Sequence, residues 1–189
     1  MKTFFRELLI TLTVAVIIFV AIQTTIQSFI VVGLSMYPSL VNGQRLLVNK
    51  AVYHFHEPER GDVIVFEPID GGQADYIKRV IAQPGDTVEI KNSVVYVNGS
   101  PLDEPYIKNP PSYTTDEQKI PQNNYFVLGD NRDSSNDSHN GWMVPHEKII
   151  GKAWVSMWPP DKWGLVPNYS LEEQLVDAID SYLAVEPLR

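Results

Sequence analysis

The longest pattern along the chain has no alternation. No charged residue occurs across residues 8–44, and residues 8–22 are almost wholly apolar, with Val14, Val16, Ile17, Ile18, Phe19 and Val20 at the centre. A helix over residues 8–28 would rise roughly 30 Å, the thickness of a bilayer's hydrocarbon core. Lys2 and Arg6 precede it and read as its cytoplasmic side, while Gln23, Thr24, Thr25 and Gln27 fall near its outer end. A cleaved secretory signal has a shorter apolar stretch ending in a small-x-small site, which Ala21-Ile22-Gln23 does not supply. The pattern therefore predicts an uncleaved, single-pass anchor over residues 1–28, with the remainder outside the cytoplasm.

Past the anchor the pattern changes to short runs of β-branched and aromatic residues. Strands are predicted at 29–32, 45–52, 62–66, 76–82, 87–90, 94–97, 125–128 and 149–158. Arg60-Gly61, Gly71-Gly72, Pro84-Gly85, Lys91-Asn92 and Asn98-Gly99 punctuate them at the short intervals of antiparallel sheets. Residues 105–121 are rich in proline and read as an exposed loop. The body, residues 29–165, is therefore expected to be mainly β. Over residues 166–189 the period becomes helical: Ser170 and Glu173 form a capping box ahead of Leu171, Leu175, Ile179 and Leu183. That segment reads as a short amphipathic helix packed on the domain or lying on a membrane surface.

Composition narrows the chemistry. The 189 residues carry a formal net charge of -8, so the global attraction to phosphates that supports nucleic-acid binding is absent. There is no cysteine, which excludes disulfides, thiolate metal sites and a cysteine nucleophile. Any covalent catalysis must use another side chain.

Ser35 lies in Gly33-Leu34-Ser35-Met36-Tyr37-Pro38, just beyond the anchor. Gly33 lets the backbone come close to a ligand and Pro38 stiffens the loop, so a hydroxyl and its own N–H could be presented in fixed directions, although a loop serine is more often a turn-former. In 76–82, strand alternation puts Lys78 on one face with Tyr76, Val80 and Ala82, and Arg79 on the other with Ile77 and Ile81. One of these two cations is expected to face apolar surroundings. A buried lysine loses its proton easily and can act as a base, whereas arginine cannot; the alternative is a lysine snorkelling at a strand edge.

The polar run 129–141 follows a predicted strand. Its acidic positions do not follow the spacing of a calcium loop, and Val144 stands where a closing glutamate would be needed after Asp133. Asp137 and His139 allow a Ser-His-Asp arrangement on paper. His54 and His56 have no third ligand of obvious spacing. No metal and no cofactor are expected.

Four segments in order resemble the type I signal peptidase family: Ser35-Met36-Tyr37-Pro38-Ser39-Leu40, Arg60-Gly61-Asp62-Val63-Ile64-Val65-Phe66, Tyr76-Ile77-Lys78-Arg79-Val80-Ile81-Ala82-Gln83-Pro84-Gly85-Asp86, and Gly129-Asp130-Asn131-Arg132-Asp133-Ser134-Ser135-Asn136-Asp137-Ser138. The resemblance runs from the anchor to about Trp163 and leaves the C-terminal segment unmatched. It implies two antiparallel sheets on one N-terminal transmembrane helix, and a membrane-bound serine peptidase that removes signal peptides from exported preproteins after small-x-small sites at the outer face of the plasma membrane. The partners it implies are those preproteins and the lipid bilayer.

By the same resemblance Ser35 is the nucleophile, Lys78 its base, and Ser135 the hydroxyl that holds the lysine amine. Arg79 pairs with Asp130 beside the site, with Asp137 in support. Shallow pockets form from Phe29, Val31, Val32, Met36, Leu40, Tyr76 and Ile77, and such pockets suit alanine and exclude bulk. Two positions depart from the family pattern: Gly33 stands where some relatives carry a serine that donates a second oxyanion hydrogen bond, and His139 stands where arginine is usual. The single anchor and the short region 84–128 resemble relatives from bacteria with one membrane.

Overall fold

A computed structural model describes residues 2–69, 71–171 and 174–175. The elements run in the order α1 (Lys2–Thr25), β1 (Ile26–Ile30), β2 (Arg45–Asn49), β3 (Val63–Phe66), β4 (Tyr76–Ala82), β5 (Thr87–Lys91), β6 (Val94–Val97), β7 (Ser100–Pro101), β8 (Thr115–Lys119), β9 (Asn124–Leu128), β10 (Val144–Pro145), β11 (Ile149–Trp158) and β12 (Gly164–Leu165). The mainly β character is as the sequence pattern predicts, and the two antiparallel sheets behind one apolar helix are as the resemblance implies.

Among the described residues nothing covers the apolar stretch of helix α1: its span Thr3–Thr25 has none of its most apolar window buried. So much uncovered apolar surface calls for an apolar medium, which a bilayer supplies. Its last turn is drawn in by the hydroxyls of Thr24 and Thr25, which donate to the carbonyls of Val20 and Ala21. The helix stops at Thr25 rather than near Ser28, because residues 26–30 pair with β2 from Ile26↔Asn49 to Ile30↔Arg45. The Lys50 N–H donates to the Thr25 carbonyl at 2.8 Å and closes the junction. Anchor and sheet are thus joined with no linker.

The larger sheet has the order β1-β2-β11-β3-β4-β9-β10, with β12 beside β11; the smaller has the order β7-β6-β5-β8. β3 and β9 read as near-continuous apolar runs because both their faces are covered. Full burial of side chains such as Phe66 and Phe126 stabilises the fold by about 2–3 kcal/mol each. The expected loop over 105–121 contains a strand, β8, whose sequence Thr-Asp-Glu-Gln-Lys has no apolar alternation. It pairs with β5 through its backbone at the edge of the smaller sheet, where side chains stay in water.

Of the predicted C-terminal helix, Glu173, Ile179 and Leu183 lie outside the described residues. Leu171 and Leu175 are described, and both are buried in the core of the smaller sheet with Ile81, Val88, Ile90 and Phe126.

Candidate active site

The loop after β1 is held from both ends. Val31 and Gly43 continue the strand pairing, with the Val31 N–H on the Gln44 carbonyl and the Gly43 N–H on the Val31 carbonyl, each at 2.8 Å. Gly33 turns at φ +92° and its N–H donates to the Asn42 side chain at 2.9 Å. Tyr37 and Leu40 close turns onto the carbonyls of Leu34 and Met36. The Ser35 N–H takes part in none of these bonds and remains a donor beside the Ser35 hydroxyl.

A second segment grips the loop from outside. The Asn131 N–H donates to the Ser35 carbonyl at 2.9 Å and its side-chain amide donates to the Leu34 carbonyl at 3.0 Å. Gly129 lies so close that a β-carbon there would stand 2.5 Å from the Ser35 carbonyl oxygen and 2.3 Å from Ser135 Oγ. These roles of Asn131 and Gly129 go beyond what the sequence reading assigned them. The signal was present, since both sit in the polar run after β9, but a turn sequence does not say which loop it will touch.

Lys78 projects from β4 opposite Ile64 of β3. Its Nζ lies 3.0 Å from Ser35 Oγ and donates to the Ile77 carbonyl at 3.0 Å. The side chain is 4 % exposed. Burial lowers its pKa from 10.5 to about 8, against the opposing pull of the Asp137 and Asp130 carboxylates. Arg79 is buried as well, so both cations of β4 face the interior. It is satisfied by a bidentate pair with Asp130, Nε to Oδ1 at 2.9 Å and Nη2 to Oδ2 at 2.8 Å, as the resemblance implied.

Asp137 is fully buried and accepts from the Gly129 N–H at 2.9 Å. Its other oxygen lies 2.6 Å from His139 Nδ1, and the His139 ring stacks on Tyr113 at 4.1 Å between centroids. Histidine therefore occupies the contact that arginine would make. The expected bond between Ser135 and the lysine amine is not made: Ser135 Oγ is buried without a hydrogen-bond partner among the described residues, because it packs against Gly129 while Ile77 receives the amine's N–H.

A cleft of about 390 Å³ opens over Ser35 and Lys78. Phe29, Val31, Val32, Tyr76 and Ile77 line it as expected, and Leu34, Ala74 and Asp75 join them. Met36 and Leu40 do not. Both turn inward, 1 % exposed, into a core cluster with Leu46, Val63 and Ala153, and so anchor the loop instead of contacting a ligand. His54 and His56 are exposed and stand apart from the cleft. Among the described residues no group of His, Asp and Glu is placed to hold a metal ion.

A serine hydroxyl beside a buried, readily neutral amine, under an apolar cleft, can attack a carbonyl and pass its proton to the amine. Comparisons with known proteins bear on that chemistry. A family model described as signal peptidase, peptidase S26, matches residues 4–158. The probable signal peptidase I-1 of Synechocystis sp. is 46 % identical over 144 residues, covering 72 % of this chain and 73 % of that protein. Signal peptidase I S of Bacillus subtilis is 42 % identical over 162 residues, 77 % of this chain and 86 % of the other. Signal peptidase IB of Staphylococcus aureus is 36 % identical over 178 residues, 84 % and 92 % respectively.

Proposed function

The chain belongs to the signal peptidase family, peptidase S26, and on that premise we propose that it is a membrane-bound serine endopeptidase that removes N-terminal signal peptides from exported preproteins after small-x-small sites. Ser35 is the nucleophile and Lys78 the general base. The observation that carries this assignment is the 3.0 Å approach of the buried Lys78 amine to Ser35 Oγ.

The neutral amine takes the Ser35 proton as Oγ bonds to the scissile carbonyl carbon. The oxyanion so formed meets the Ser35 N–H, which the loop's own hydrogen bonds leave disengaged. The ammonium then gives its proton to the departing amine of the mature protein, leaving the signal peptide esterified to Ser35. Water, losing a proton to Lys78, completes hydrolysis and frees the serine. When Oγ carries the acyl group, the amine loses that partner, and the Ser135 hydroxyl offers a replacement. The side chains of Phe29, Val31, Val32, Tyr76 and Ile77 leave room for small substrate residues. Arg79, Asp130 and Asp137 hold the surrounding backbone.

The residues 1–28 act as the anchor, with Lys2 and Arg6 on the cytoplasmic side and the β domain, residues 29–165, outside. A preprotein's apolar segment shares the bilayer with α1, and confinement of both to one membrane raises their effective concentration. Incubating the detergent-solubilised protein with a preprotein tests the reading. Wild type should release the mature protein, and Ser35→Ala and Lys78→Ala should each lose nearly all activity with the fold intact, because nucleophile and base act as a unit. Substantial cleavage by either folded variant would sink the pair.

A further inference from the structure

The family match ends at residue 158, yet Val166, Leu171 and Leu175, which follow β12, are built into the interior behind the site. The Val166 N–H donates to the Trp154 carbonyl at 2.9 Å and its side chain enters the same core cluster as Met36 and Leu40. The Pro167 carbonyl accepts from Arg79 Nη1 at 3.1 Å, whose other bond from that nitrogen goes to the Gly61 carbonyl at 2.7 Å. The Tyr169 ring lies over the same guanidinium at 5.2 Å and against the Tyr106 ring at 4.9 Å between centroids. Leu171 is fully buried, and Gln174 exchanges two hydrogen bonds with the Asp103 backbone, at 2.8 and 3.0 Å.

Gly61 records how tightly this segment closes. A β-carbon at that position would stand 1.6 Å from the Tyr169 carbonyl oxygen, so only glycine admits the strap there. Across a cavity of about 350 Å³, Pro167 and Tyr169 face Pro38 and Ser39 of the nucleophile loop.

We propose that residues 166–171, together with the Gln174 anchor at Asp103, form a positioning strap for the Ser35–Lys78 pair, with Tyr169 and the Pro167 carbonyl closing the cage around Arg79 and so holding β4 and the Asp130–Asn131 segment against the nucleophile loop. The proposal rests on the dyad reading above. The chain of contacts is continuous: strap to Arg79, Arg79 to Asp130, Asn131 to the carbonyls of Leu34 and Ser35. Arg79 and Lys78 are also neighbours on β4. None of the described strap residues lines the cleft, so the strap acts on the geometry of the reacting groups and not on substrate contacts.

Loss of the strap has a signature besides a slower rate. Lys78 faces Ser35 and the Tyr76 ring and feels the carboxylates of Asp137 and Asp130, the latter balanced by Arg79. Opening the cage lets water reach β4 and loosens Arg79 from Asp130. Less burial and a less compensated carboxylate both favour the ammonium form, so the pH at which Lys78 becomes a base moves upward.

The experiment measures kcat, KM and their pH profiles for cleavage of a preprotein by the full-length, detergent-solubilised protein and its variants. Tyr169→Ala should lower kcat by about tenfold, the order expected when reacting groups shift by a fraction of an ångström, with KM little changed and the activity midpoint displaced to higher pH. Tyr169→Phe, which keeps the ring, should restore both. Should Tyr169→Ala fail to fold, Gln174→Ala decides, since it cuts only the anchor at Asp103 on the surface; it should move the midpoint in the same direction by a smaller amount. A folded Tyr169→Ala, or in its place Gln174→Ala, with wild-type kcat and an unmoved midpoint overturns the strap. Activity in Lys78→Ala would instead overturn the dyad, leaving the two failures distinguishable.

Discussion

The main chain of Asn131 donates to the carbonyl oxygen of Ser35 at 2.9 Å, tying a turn after β9 to a loop 96 residues earlier in the chain. The side-chain amide of the same residue adds a bond to Leu34 at 3.0 Å. Asn131 therefore sets the direction of the nucleophile without touching the cleft. Asn131→Ala removes the side-chain bond and leaves the main-chain one. It should cost about 1 kcal/mol of stability and reduce kcat by about tenfold, because a small misplacement of a reacting group is expensive. Parallel measurement of unfolding and turnover checks this; wild-type kcat in the variant would mean that the main-chain bond alone positions Ser35.

That pairing also marks the limit of what could be read along the chain. Strands rich in β-branched and aromatic residues, such as 76–82, 94–97 and 149–158, have the bounds their residues predict. β8 was missed because an edge strand needs no apolar face, and α1 ends three residues early because β2 captures residues 26–30 in a sheet. The two close pairs of the site, Ser35 with Lys78 and Arg79 with Asp130, span 43 and 51 residues. No local period encodes such distances, and a resemblance to known motifs was needed to bring them together. Met36 and Leu40 went astray for a related reason: in a loop, side-chain direction follows no period, and these two turned into the core.

Ser135 presents a stability and an activity that should separate. Among the described residues its buried hydroxyl oxygen has no hydrogen-bond partner, a condition that typically costs about 1–3 kcal/mol. Ser135→Ala removes the unpaired group, so the variant should unfold at the same or a higher denaturant concentration than wild type. Its cleavage rate should nevertheless fall by about tenfold, well short of the loss in Ser35→Ala, because orientation of the amine after acylation is lost while the chemistry remains. Wild-type turnover in Ser135→Ala would show that the hydroxyl plays no part after the resting state.

Lys78 should leave its mark on both rate and stability as pH changes. Burial, opposed by Asp137 and Asp130, lowers its pKa from 10.5 to about 8 in the folded chain. Cleavage should accordingly rise with pH through about 8, as the amine becomes able to accept a proton. For stability the sign follows from proton counting. Between about 8 and 10.5 the unfolded chain still holds a proton that the folded chain has released, so stability rises with pH across that window. Below the folded pKa both states are protonated, and the folded one bears the full cost of an enclosed charge, on the order of 3 kcal/mol. Lys78→Met removes the titrating group while keeping an unbranched side chain of similar length. The inactive variant should therefore be more stable than wild type in neutral solution, and its advantage should shrink steadily as pH passes from about 8 to 10.5. Every other titrating group is common to the two proteins, so the difference in their denaturant unfolding isolates this one. A difference that stays constant across the window would mean that the fold does not lower the lysine's proton affinity, and the base would have to be sought elsewhere.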